Sequence, residues 1–204
     1  MRVPSNKGGG IEVASICREG VAGIEDAFGV GEVPTFGLAQ IAGTSESIGV
    51  DEFAEATQKD RALSVMAGLN RSWIRWQSQL VADCDATHWA RERLCRWLLL
   101  ASDRMGSTTI VASQDSIADG LGLLRTTVTL LTLDLEVAGA IQTRRGKITV
   151  CDRALLESSA CICCAKLDSS KWPSHRLAAP IRIATHEDDG LNTGRPESPH
   201  HHDL

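Results

Sequence analysis

Apolar residues recur along this chain with two different periods, and the places where the period changes divide it. Met66, Leu69, Trp73, Trp76 and Leu80 follow one another at intervals of three and four, with Arg61, Arg71, Arg75, Gln77 and Gln79 off that line. Such spacing places the apolar side chains on one face of a helix and predicts a long helix over 61–90. Farther on, Ile117, Leu121, Leu123, Val128 and Leu131 have the spacings of two short helices packed on each other and on a third. Ile141–Val150 reads as two short strands joined at Arg145-Gly146, where glycine allows the turn and Ile148, Thr149 and Val150 favour the return strand. Thr108–Val111 is a candidate third strand. Before residue 51 the pattern predicts strands at Ile11–Cys17, Pro34–Ile41 and Glu46–Val50, with turns at Arg18–Gly20 and Gly29–Gly31.

The two short helices carry a specific motif. In Gln114-Asp-Ser-Ile-Ala118-Asp-Gly-Leu-Gly122-Leu-Leu-Arg125, Ala118 is small where two helix backbones must approach. Gly122, four positions on, suits a turn of positive φ. These positions and the five apolar ones together define a helix-turn-helix. Its second helix leaves Leu124, Arg125, Thr126, Thr129 and Leu130 on the open face, which in this motif enters the major groove and meets base edges. The hairpin that follows brings Arg144, Arg145 and Lys147, the placement of a wing that touches phosphate oxygens. Gln114, at the start of the first motif helix, is a further phosphate contact. The expected class is α+β, with a winged helix-turn-helix over 91–164.

These residues resemble a known family. Arg91-Glu-Arg-Leu-Cys-Arg-Trp97, Ser113-Gln-Asp-Ser-Ile-Ala and Leu-Gly122-Leu-Leu-Arg125-Thr-Thr-Val-Thr look like the C-terminal half of Crp/Fnr-type transcription regulators. Val150-Cys-Asp-Arg-Ala-Leu-Leu-Glu-Ser-Ser-Ala-Cys161-Ile-Cys163 is similar to the ending of one bacterial subgroup. The resemblance is specific over 61–164, faint over 9–60 and absent from 165 onward. It implies an N-terminal β-roll that senses a small molecule, a long helix that makes a dimer, and a winged domain that reads a palindromic operator in double-stranded DNA. RNA polymerase is a further candidate partner. Residues 1–60 would then be a partial roll with about half of the family's strands, either degenerate or missing its start.

The seam Met66–Leu69–Trp73–Trp76–Leu80 has two readings, a helix packed on its own domain and a homodimer helix. The seam spans fewer heptads than a free-standing coiled coil needs. The dimer is favoured because two half-sites one turn of DNA apart need something to set their spacing, and two tryptophans would bury considerable area.

The net charge of −5 is unevenly divided. Residues 1–60 hold four Lys/Arg against ten Asp/Glu, whereas 125–147 hold four against two. An acidic N-terminal part beside a basic motif and wing suits a DNA contact that is modest and sensitive to salt. Binding of a cyclic nucleotide is not expected. The family's Gly-Glu turn and phosphate-holding arginine have no counterpart in Val21–Phe28 and Leu38–Gln40, and no arginine lies between Arg18 and Arg61. A phosphate would meet Glu25, Asp26 and Glu32, leaving Arg18 as the alternative cation.

Seven cysteines without an export signal argue against a disulfide framework. Cys161-Ile-Cys163-Cys164, joined by Cys151, raises a metal or thiol site. No histidine lies near in sequence, however, and a zinc site needs four well-placed ligands, so neither metal nor cofactor is expected. The family's iron–sulfur sensors place most of their cysteines near the N-terminus, where this chain has only Cys17. His200-His201-His202 reads as part of an unconstrained tail. Residues 165–204 hold four of the six prolines and lack apolar periodicity, the composition of a disordered extension.

No apolar run approaches a membrane span and no leader pattern is present, so a cytoplasmic protein is expected. No nucleotide loop, nucleophile elbow or metalloprotease helix is found, and Ser102, Ser113 and His88 have no third partner implied by spacing, so an enzyme is not expected. The rival reading is a degenerate or truncated relative that serves as a dimerisation or protein-interaction module, because Leu124 and Leu130 make the recognition face unusually apolar.

Overall fold

A computed structural model describes residues 1–5, 9–17, 20–29, 35–40 and 44–167. These belong to one unit, Met1–Ser174. The turns expected at Arg18–Gly20 and Gly29–Gly31, the ends of the strand expected at Pro34–Ile41, Glu32, and the tail from 168 with His200–His202 lie wholly or partly outside the described residues.

The long helix forms where the periodicity places it. Helix α2 runs Arg61–Thr87, about 40 Å at 1.5 Å per residue. Asp60 starts it, its carboxylate accepting the Ala62 and Leu63 amides at 2.7 and 3.2 Å. The helix stops at His88, whose backbone turns extended at φ −108° and ψ 147°. After Trp89, helix α3 (Ala90–Met105) begins, and it ends at Gly106 with φ 59°.

The buried face of α2 is not the apolar seam. It is Ala67, Asn70, Ile74, Gln77, Val81 and Cys84, each of the first five being one residue beyond a seam position. One residue is about 100° of helix rotation, so the seam forms the neighbouring stripe. Met66, Leu69, Trp73 and Leu80 there are half-buried, and Trp76 is exposed. Two polar residues anchor the buried face in a way hydropathy does not reveal. The Asn70 amide donates to the Val21 carbonyl at 2.8 Å, and its oxygen accepts the Val21 N–H at 3.1 Å. The rings of Trp73 and Trp76 stack at 4.9 Å.

The N-terminal part holds less sheet than its alternation suggests. Among the described residues it forms a two-stranded antiparallel pair, β1 (Arg2–Pro4) and β2 (Gly10–Glu12), with a single bridge from Arg2 to Phe36. The segment expected as a strand at Ile11–Cys17 leaves the sheet after Glu12, and beyond it Ser15, Cys17 and Val21 direct polar groups to Gln77, Arg104 and Asn70 of α2 and α3 instead of to a neighbouring strand. The Glu46–Val50 strand is not formed. Val50 opens a helix, α1 (Val50–Lys59), whose first turn carries Asp51 and Glu52, well placed at a helix N-terminus. The α+β class holds, with the balance moved toward helix.

The winged part is built on α3. Strand β3 (Thr109–Val111), helices α4 (Gln114–Leu121) and α5 (Arg125–Val137), and strands β4 (Ile141–Arg144) and β5 (Lys147–Val150) follow, then α6 (Arg153–Ser159) and α7 (Cys163–Leu167). The sheet order is β3-β5-β4, antiparallel throughout, with Ile110 opposite Ile148 and Ile141 opposite Val150. One continuous core joins Leu94, Leu98 and Leu99 of α3 to Ile117, Leu121, Val128, Leu135, Ile148 and Leu156. No helix among the described residues is long and apolar enough to cross a membrane.

Candidate nucleic-acid interface

The turn between α4 and α5 is set by the residues the motif requires. Ala118 is buried, and its carbonyl accepts the Leu123 N–H at 2.9 Å. Gly122 stands at φ 64°, where a side chain would be strained. Ser113 caps α4 through its hydroxyl, which accepts the Ser116 amide at 3.1 Å. Ile117, Leu121 and Val128 are buried between the helices, while Leu123 and Leu131 pack at the edge of that core. The angle between the helices therefore rests on a filled core.

That packing leaves one side of α5 in solvent. Leu124 and Leu130 are 64% and 68% exposed, and Arg125, Thr126 and Thr129 are exposed beside them. Leu133 and Val137 extend the apolar part of this face to the end of the helix, which the motif positions alone did not indicate. Three of the expected contact residues, Arg125, Gln114 and Thr129, are engaged within the protein. Arg125 pairs with Asp115 at 3.3 Å. Gln114 accepts the Thr129 hydroxyl at 2.7 Å and donates to Thr132 Oγ1 at 3.3 Å, which ties the start of α4 to the middle of α5.

The wing forms as the sequence predicts. Arg145 and Gly146 take φ values of 45° and 77°, the paired positive angles of a two-residue hairpin turn that matches strand twist. Glu136 fixes the hairpin to α5 by accepting the Thr143 hydroxyl at 2.8 Å. Arg144, Arg145 and Lys147 are exposed, and no ion pair engages them among the described residues. An open cleft of about 320 Å³ lies between wing and motif, lined by Gln114, Asp115, Arg125, Arg144, Arg145 and Lys147 among others. Four cations facing one groove, three of them unpaired, make a surface for a polyanion.

Comparison with known proteins agrees with this geometry. Residues 92–159 match the model of the Crp-like helix-turn-helix domain. A Crp/Fnr-family transcriptional regulator of Thermus thermophilus shares the fold over 78% of this chain and 81% of its own, at 18% identity and a TM-score of 0.58. FixK2 of Bradyrhizobium japonicum aligns at 18% identity and a TM-score of 0.51, over 53% of this chain and 57% of its own. The chain spans about half the length of a Crp/Fnr-family regulator of Eubacterium rectale, 51% of that protein and 54% of this one, at 18% identity and a TM-score of 0.46. Among curated protein sequences nothing matches. The winged part of this chain is a Crp-like helix-turn-helix domain, carried on a fold shared with transcriptional regulators of the Crp/Fnr family.

Proposed function

We propose that the chain is a DNA-binding transcription regulator that reads a palindromic operator as a homodimer, without a cyclic nucleotide. One observation carries the reading: Arg125, at the start of the exposed face of α5, and the unpaired wing cations border the same cleft. An exposed recognition helix supplies base contacts, and wing cations supply phosphate contacts that fix register. The homodimer draws support from the seam beside the buried face of α2, where Met66, Leu69, Trp73, Trp76 and Leu80 remain accessible enough to meet a second copy. The absence of a nucleotide requirement rests on the acidic run Val21–Phe28, where Glu25 and Asp26 would face a phosphate. The protein on this reading works by binding and not by catalysis.

The experiment is selection from a random duplex library at two salt concentrations. A palindromic consensus should emerge, with affinity falling as salt rises. Failure to retain any sequence selectively at low salt overturns the reading. Cyclic AMP should give no calorimetric heat and no change in affinity for the selected site. Regulation would then run through RNA polymerase, read out by transcription in vitro from a template bearing that site.

A second reading has one observation in its favour. Leu130, Leu133 and Val137 form an exposed apolar line at 68%, 56% and 83% along α5, as a protein-binding helix would. It predicts that replacing these three with serine leaves operator affinity unchanged and removes only a protein partner.

A further inference from the structure

Four ligand-type side chains meet where α2 gives way to α3. Cys84 lies in the last turn of α2, and His88 follows one turn later on the same face, its N–H still bonded to the Cys84 carbonyl at 3.0 Å. Cys161, in the turn after α6, and Cys163, the first residue of α7, supply the other two, and the Cys164 N–H closes onto the Cys161 carbonyl at 3.0 Å. Cys84, Cys161 and Cys163 are buried at 0%, 3% and 1%, and His88 is half-buried at the rim. All seven cysteines are free thiols.

The spacing of these groups is that of ligands about one ion. Cys84 Sγ and Cys161 Sγ are 3.5 Å apart, Cys163 Sγ and His88 Nδ1 are 3.8 Å apart, and all four ligand atoms lie within 4.8 Å of one another. Zinc bonds of ~2.3 Å to sulfur and ~2.0–2.1 Å to nitrogen in a tetrahedron put neighbouring ligands about 3.4–3.8 Å apart. Only a small contraction separates the cluster from that figure. A purely apolar role for the thiols would account for three buried cysteines. It does not account for the imidazole nitrogen of His88, which Thr87 Oγ1 meets at 3.2 Å and which still lies 3.8 Å from the Cys163 sulfur.

We propose that Cys84, His88, Cys161 and Cys163 form a tetrahedral zinc site that clamps the turn before α7 onto the end of the long helix. Three soft thiolates and one imidazole select zinc over hard divalent cations. Four protein ligands leave no open position, so the ion is structural rather than catalytic. Cys151 is exposed just before α6, Cys164 packs against the core, and neither joins the set. The clamp joins segments seventy-seven positions apart. It sits at the extended pair His88-Trp89, where the winged domain leaves α2, so it fixes the angle of that departure.

The test is a cobalt titration of the full chain, reduced, stripped with a chelator and kept free of oxygen. A thiolate-to-metal charge-transfer band with the visible ligand-field bands of tetrahedral cobalt should saturate at one equivalent and be bleached by one equivalent of zinc. Cys161→Ser and Cys84→Ser should each weaken zinc more than about a hundredfold, beyond the tenfold to hundredfold that loss of an outer-sphere partner gives. Cys151→Ser, and a variant with His200, His201 and His202 all changed to alanine, should titrate as the parent does. The proposal is overturned if the parent gives only octahedral cobalt without thiolate charge transfer, or if the signal disappears with the tail histidines. Should the cysteine variants fail to fold, the parent titration and the tail variant still decide the matter.

Discussion

The guanidinium of Arg125 lies 3.3 Å from the carboxylate of Asp115, so the one long donor on the open face of α5 is held by the helix before it. Both side chains are mostly in solvent, at 67% and 60%. An exposed pair of this kind contributes at most about 1 kcal/mol, less than the ~1–3 kcal/mol a bidentate arginine–guanine contact supplies. On the proposed function DNA should therefore win the arginine, breaking the pair and bringing Asp115 near phosphates. Asp115→Asn should raise operator affinity severalfold, most at low salt, in a fluorescence titration with the selected duplex. Weaker binding by Asp115→Asn would show that the pair positions Arg125 instead of withholding it.

Arg125 and Lys147 border the same cleft but should fail in different ways. Arg125→Ala should flatten the preference at one base pair per half-site. Lys147→Ala should lower affinity for all sequences alike and reduce the salt slope by about one. Repeating the library selection with each variant checks both. An unchanged consensus for Arg125→Ala would mean that the arginine serves Asp115 alone.

The long helix offers a two-sided test of assembly. Trp73→Gln with Trp76→Gln removes the stacked pair from the half-exposed seam and should yield monomers in sedimentation velocity, with operator binding falling at least tenfold. Thermal stability should drop little, because the face that carries the fold is the adjacent one. Asn70→Ala, on that adjacent face, should do the reverse. It leaves the Val21 N–H and carbonyl without their partners, a cost of about 1–3 kcal/mol, and should not change the sedimentation of the folded fraction.

The contrast between these faces shows how far a sequence can be read. Helix-turn-helix and wing were legible because each position is a local demand: Gly122 and Gly146 for positive φ, Ala118 for the close approach, Ile117 and Val128 for the shared core. The inner face of α2 was not, because Asn70 and Gln77 are polar and gain their place from Val21 and Ser15, far away in the chain. Hydropathy therefore marked the tryptophan stripe and not the buried face beside it. The N-terminal strands failed for a related reason, since alternation cannot report whether neighbouring strands exist to accept the ladder. Cys161 and Cys163 looked isolated from histidine for the same cause, with His88 brought to them only by the return of the chain after α6. At the interface, side-chain pairing was the unread part. Gln114, expected on phosphate, is committed to Thr129 and Thr132, and Arg125 to Asp115.

A buried arginine links the N-terminal hairpin to the motif, and a glycine in α4 makes room for it. Arg2 is 3% exposed, and its Nη2 donates to the Ser116 carbonyl at 2.9 Å. A Cβ at Gly120 would stand 3.0 Å from that same nitrogen. In an ordinary helix interior, Gly→Ala stabilises by roughly 0.5–1 kcal/mol. Here the methyl must displace the guanidinium by a few tenths of an ångström, and because Arg2 is buried and bonded to Ser116 that shift weakens a charged hydrogen bond worth about 1.5–3 kcal/mol in full, so Gly120→Ala should destabilise the parent. Once Arg2→Ala has removed the obstruction, the same change should stabilise, and the double-mutant cycle should show the two sites coupled by more than about 1 kcal/mol. Urea unfolding of the four proteins measures this directly. Additive effects would mean that the hairpin does not rest on α4 in solution, and the N-terminal part would then have to be regarded as independent of the winged domain.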